Sequence, residues 1–282
     1  MEELRMNSRN EQDRSHILAA AEKLSRERLG GDTSGHDWWH VDRVRRMALR
    51  LAREEQADPF VVELAALLHD VADAKLVDDP AAARDELGRL LRDWGAGDKD
   101  AEHVLEIIAT LSFGSGNRPP MRTPEGSIVQ DADRLDAIGA IGVARVFAYS
   151  GWSGRPLHVP AEDGAGHEAV PAGVPSGGET AGAPTAGEGA ASYPDGEAGT
   201  PAGDGGRREA ASSGGPLASE EVRGRILAAS GELDGAIAHF AAKLLLLKDR
   251  MNTAAARRIA GDRHRFLEEY ANRFLDEWEG RS

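Results

Sequence analysis

The chain has 282 residues, 34 Lys and Arg against 48 Asp and Glu, a formal charge of −14 at neutral pH, and no cysteine. The acidic balance argues against binding to a nucleic-acid polymer, which needs a basic footprint, and the missing sulfur excludes disulfides, thiolate zinc sites and cysteine nucleophiles. The N-terminus "MEELRMNSRNEQDRS" has no apolar stretch of a secretory signal, and no run is long enough to span a bilayer, so a cytoplasmic protein with no membrane partner is expected.

Leu, Ala and Ile dominate the apolar set, which favours helices over strands. The first predicted helix covers 11–29, with Ile17, Leu18, Ala21 and Leu24 at helical spacing. The second carries the stripe Val41, Val44, Ala48 and Leu51. Pro59 suits the first turn of a third helix running to about Ala74. Helices over 80–94 and 99–111 follow, the latter with Val104, Ile107, Ile108 and Leu111 as its apolar face. Residues 127–149 read as one long Ala- and Gly-rich helix. From 156 to 216 large apolar residues almost vanish among Gly, Pro and Ala, and such a segment cannot offset the entropy of ordering. It is expected to be a disordered insertion hanging from one domain, made of an N-terminal part (11–155) and C-terminal helices (217–279). Those last helices are predicted over 218–251 and 253–278, with Thr253 as N-cap and Ile259, Phe266, Tyr270, Phe274 and Trp278 keeping a three-four spacing. No stretch alternates like a strand. The fold class is therefore all-α, a single helical bundle with an insertion.

Three stretches carry chemistry. His69 and Asp70 end the apolar run "FVVELAALL", where a carboxylate needs a guanidinium, backbone donors or a metal ion as compensation. Alone, such a pair reads as a structural ion pair. Asp133 sits on a helix of small residues, with Ala137, Ala140 and Ala144 predicted on the same face. His40 and Arg43 share a face at the start of the second helix, and His36 lies one turn earlier. Taken together, two imidazoles and two carboxylates form a mixed nitrogen and oxygen donor set. Without sulfur, that set suits Mn, Fe, Ni, Co or Zn with positions open to water. This reading leaves His36 beside His40, and Asp131 beside Asp133, as alternative ligands.

The segments "GHDWWHVDRVRRMAL", "VVELAALLHDVADAK", "IVQDADRLDAIGAIGVARVFAYSG", "HFAAKLLLLKDRMNT" and "HRFLEEYANRFLDEWEG" resemble the HD superfamily of metal-dependent phosphohydrolases, in particular a small bacterial branch. The resemblance covers nearly all of the chain outside the insertion, which replaces a usually short connection. It implies a single HD domain whose ligands to a divalent metal, Mn2+ first and Fe, Ni, Co, Zn or Mg as alternatives, are His40, His69, Asp70 and Asp133. His40 is preferred because Val44 stands four positions on, and Asp133 because it opens "DRL" after Ala132.

The resemblance also implies a small phosphate substrate, and release of pyrophosphate from a nucleoside or deoxynucleoside triphosphate is the activity expected. Metal-activated water would attack phosphorus, with Asp70 in the metal shell and Asp73, three residues on, as proton acceptor. Arg43, Lys75, His36 and Lys243 are candidate substrate-binding groups, and Lys248 and Arg250 read as ordinary helix-end charges. His103 is expected to be a satisfied core histidine, and Trp38 and Trp39 to serve packing before base stacking. The competing readings are a metal- and nucleotide-binding sensor without turnover, a purely structural scaffold, and a cyclic-nucleotide phosphodiesterase.

Overall fold

A computed structural model describes residues 2–31, 37–72, 77, 79–111, 121–161, 219–231 and 235–281, with side chains from residue 11 onward. Ten helices follow in chain order among these residues: α1 Glu2–Leu29, α2 Trp38–Glu55, α3 Pro59–Leu68, α4 Pro80–Asp93, α5 Asp98–Leu111, α6 Pro124–Asp136, α7 Gly139–Trp152, α8 Ser219–Ala229, α9 Ala236–Ala242 and α10 Ala254–Trp278. The described residues contain no strand, and one isolated bridge joins Pro160 to Ser230.

The helix starts follow local chemistry. Asp58, Asp79 and Thr123 each precede a proline that opens a helix, and each side chain accepts a backbone N–H from the first turn. Thr253 caps α10 in the same way, accepting from the Ala256 N–H. Asp37 caps α2 by accepting the His40 N–H at 2.9 Å.

Helix α3 is the centre of the body. Phe60, Val61, Val62, Leu64, Ala65, Ala66, Leu67 and Leu68 are all buried, and α1, α2, α5 and α6 pack around it. A helix whose one charged residue, Glu63, is ion-paired with Arg45 and whose other faces are apolar belongs in such a position, where each fully buried Leu contributes about 1.5–3 kcal/mol. Helix α10 closes the far side against α2, α6 and α7. The described residues form one compact unit.

Four expectations about elements are corrected. The third helix stops at Leu68, and residues 69–72 form a turn, so His69 and Asp70 sit just beyond the helix end. The long helix over 127–149 is two helices. Ile138 is extended at φ −126°, ψ 165°, and Gly139 takes φ +76°, a conformation that favours glycine. A Cβ on Gly142 would lie 2.3 Å from the Ala137 carbonyl oxygen, so that glycine too serves the break. This break removes the single face predicted for Asp133, Ala137, Ala140 and Ala144. The stretch 218–251 divides into α8, α9 and two short 3-10 turns, Leu244–Leu246 and Lys248–Arg250. Finally, residues 156–161, grouped by composition with the insertion, are tied to the body: Ala236 N–H donates to the Pro156 carbonyl at 2.9 Å and Ile237 N–H to that of Leu157 at 3.0 Å. The rest of the predicted insertion lies outside the described residues. No described helix is long and apolar enough to cross a membrane.

Candidate metal centre

His40 stands in the first turn of α2, on the face turned toward α6, and its side chain is fully buried. His69 and Asp70 follow directly on α3, where the turn at its C-terminal end aims both side chains back across the helix end; both are buried. Asp133 comes from the third turn of α6 and is about one-third exposed. These four side chains meet. His40 Nε2 lies 3.3 Å from His69 Nε2, 3.4 Å from Asp70 Oδ2 and 3.4 Å from Asp133 Oδ1. His69 Nε2 lies 3.3 Å from Asp70 Oδ1. One ligand atom each from His40, His69 and Asp133 falls within 4.8 Å of the others.

The protons on the imidazoles follow from their outer partners. His69 Nδ1 is 2.8 Å from the Ala66 carbonyl, which can only accept, so Nδ1 carries the proton. His40 Nδ1 is 2.8 Å from Asp136 Oδ2 and donates to it. Burial would push the Asp136 carboxyl up, but hydrogen bonds from His40 and Arg43 and the charge of Arg145 hold it well below the usual carboxylate range. Burial also lowers the His40 pKa, against the pull of Asp136, so the ring is neutral at neutral pH. Both Nε2 atoms face each other and the two carboxylates. Two imidazoles and two carboxylates are donors that would fit a divalent cation.

The alternatives left open by the sequence separate. Asp131, two residues from Asp133, points to the other side of α6. It accepts the Asn252 N–H at 2.8 Å, Asn252 Nδ2 at 2.9 Å, the Thr253 N–H at 2.8 Å and Thr253 Oγ1 at 2.9 Å, so it docks the start of α10 onto α6. His36, Asp73 and Lys75 lie outside the described residues.

Arg43 is on Asp136, through Nε to Oδ1 at 2.7 Å and a second nitrogen to Oδ2 at 3.0 Å, rather than reaching toward the four converging side chains. Lys243 follows the last residue of α9, near His239 and Arg155. Burial and these two cations lower the His239 pKa to about 4. His103 Nε2 is 2.9 Å from Thr123 Oγ1, a structural contact at the start of α6 as expected. Trp38 is buried under the Arg26 guanidinium, 4.0 Å from its ring centre, whereas Trp39 is 60% exposed and so is not the packing residue expected. A cleft of about 310 Å3 borders Asp136 and is lined by Arg43, Arg46, Arg50 and Arg263 with Met47 and Ile141. None of the four converging residues lines it.

Sequence reasoning gave Asp136 no role at the site. It missed the buried carboxylate behind His40 and missed Arg145, which donates to Asp136 at 2.8 Å. The one signal was spacing: Asp136 stands three residues from Asp133 and shares its side of α6.

The HD domain family model matches residues 38–138, a span that holds all four converging side chains. The chain is 33% identical over 242 residues to the uncharacterized protein YpgQ of Bacillus subtilis, covering 85% of this chain and 82% of YpgQ. The crystal structure of YpgQ in complex with ADP superposes with a TM-score of 0.56 at 30% identity, over 95% of this chain and 96% of that one. An HD-superfamily hydrolase from Bacillus thuringiensis superposes with a TM-score of 0.58 at 30% identity, over 94% and 98% of the two chains.

Proposed function

The chain belongs to the HD superfamily of metal-dependent phosphohydrolases, and we propose that it acts on nucleotides, hydrolysing a nucleoside or deoxynucleoside triphosphate to the monophosphate and pyrophosphate. The observation that supports the reading is the convergence of His40, His69 and Asp133, whose ligand atoms lie within 4.8 Å of one another, with Asp70 3.3–3.4 Å from both imidazoles and each Nδ1 held by an outer partner. The nucleotide class is supported by the YpgQ structure with ADP.

In this reading the four side chains hold one divalent cation, with Mn2+ as the first choice. When bound, such an ion lowers the pKa of water and neutralises charge on phosphate oxygens. Asp70 orients and charges the site from within the ligand shell. Asp73 is assigned as the proton acceptor from its spacing of three residues after Asp70. Water oxygen joins the α-phosphorus as the bond from that phosphorus to the bridging oxygen breaks, and pyrophosphate leaves with the electron pair. Lys75, His36 and Lys243 are assigned to the phosphates, where cations offset the net charge of an acidic protein.

The test is a panel of ribo- and deoxyribonucleotides and cyclic nucleotides with Mn2+, read as pyrophosphate or phosphate release, on wild type and Asp70→Ala. Pyrophosphate from triphosphates, lost with bound metal in the variant, is the expected result. Full turnover by Asp70→Ala overturns the mechanism. Metal and nucleotide binding without turnover makes the protein a sensor, and activity confined to cyclic substrates makes it a phosphodiesterase.

A further inference from the structure

We infer that Asp136, clamped by Arg43 and Arg145, is a positioning residue for the metal site, and that Arg43 acts through it rather than on phosphate. The inference rests on reading His40 as a ligand.

The geometry is that of a carboxylate saturated by design. Asp136 is 5% exposed and takes four contacts: His40 Nδ1 at 2.8 Å, Arg43 at 2.7 and 3.0 Å, and Arg145 at 2.8 Å. The donors come from α2 and α7 while the acceptor belongs to α6, so the carboxylate joins the three helices around the site. Both oxygens are occupied, and the side chain is not available to turn toward the cation as a further ligand. Its effect on His40 is twofold. A neutral imidazole can carry its proton on either nitrogen, and this bond places it on Nδ1, leaving the Nε2 lone pair for the site. The same bond fixes the ring angle and makes Nε2 a stronger donor. His69 reaches the same tautomer through a backbone carbonyl, which no substitution of a side chain can remove. His40 therefore carries the adjustable half of the imidazole pair.

Arg43 makes the paired, two-pronged contact a guanidinium makes with a carboxylate, from one turn along the helix that carries His40. Holding Asp136 in place is a complete use of that side chain. The break before α7 has a role here too, because Arg145 reaches Asp136 from the helix that starts after Gly139.

The experiment is a Mn2+ titration followed by electron paramagnetic resonance, on wild type, Asp136→Asn and Arg43→Gln, with circular dichroism to verify helix content. Asp136→Asn is expected to weaken Mn2+ binding by about 10–100-fold. Turnover should recover as Mn2+ is raised, with the nucleotide KM at saturating Mn2+ unchanged. Arg43→Gln should shift the Mn2+ isotherm in the same direction. A folded Asp136→Asn that binds Mn2+ within about twofold of wild type overturns the inference. So does an Arg43→Gln whose only change is a raised nucleotide KM at saturating Mn2+. Where loss of the Asp136 charge prevents Asp136→Asn from folding, Asp136→Asn with Arg145→Gln removes one charge of each sign and is read against the same limits. Wild type that binds no Mn2+ would sink the metal-site reading itself, a result distinct from equal binding by wild type and variant.

Discussion

Asp131 and Asp133 are separated by one residue, and the structure gives them opposite work, which a pair of alanine variants can expose. Asp131 is fully buried and accepts four hydrogen bonds from Asn252 and Thr253 at the start of α10. A hydrogen bond to a charged group is worth about 1.5–3 kcal/mol, and deleting the acceptor also relieves the cost of its own burial. The net loss for Asp131→Ala is therefore about 3–5 kcal/mol, a large share of the margin of a folded domain. Asp133 is about one-third exposed and faces the lone pair of His40 Nε2 at 3.4 Å. Removing it from the metal-free protein relieves repulsion as much as it loses contact, so Asp133→Ala should change stability by no more than about 1 kcal/mol. Urea unfolding of both metal-free variants, paired with a Mn2+ titration of the folded protein, gives the contrast. Asp131→Ala should unfold at lower urea yet bind Mn2+, and Asp133→Ala should unfold near wild type and bind Mn2+ poorly. The crossed result, a stable Asp131→Ala without metal beside an unstable Asp133→Ala that keeps it, would refute the assignment.

Two further outcomes follow from particular residues. The His239 pKa is lowered from 6.5 to about 4 by burial and by Lys243 and Arg155, so between those values the unfolded chain binds the proton more readily. Stability from this group is complete above pH about 6.5 and declines as pH falls toward about 4. Allowing for its partial exposure, the decline is about 1–2 kcal/mol, and wild type minus His239→Gln in urea titrations across that range should isolate it. At Gly139, φ is +76° and an added Cβ would lie 3.0–3.3 Å from the Arg263 side chain. Gly139→Ala should therefore cost about 1–2 kcal/mol in urea unfolding, and an unchanged midpoint would show that the backbone relaxes.

What the sequence determined by itself was local. Helical spacing and Asp-Pro or Thr-Pro starts marked most helices, since an N-cap and an apolar face are written in a few adjacent residues. The donor types were legible as well: an acidic, cysteine-free chain with His40, His69, Asp70 and Asp133 in order left a nitrogen and oxygen site as the available metal chemistry. Helix breaks were less legible, because "AIGAIG" reads equally as close packing or as a glycine with positive φ, and only the path of α7 across the body selects between them. Tertiary structure alone decided which aspartate does what. Asp131, Asp133 and Asp136 share one helix and nearly one composition of neighbours, yet they meet the start of α10, the imidazoles of His40 and His69, and the back of His40 with two arginines. A carboxylate's role is set by the donors around it, and here those donors come from α2, α7 and the start of α10, nine to 122 residues away along the chain.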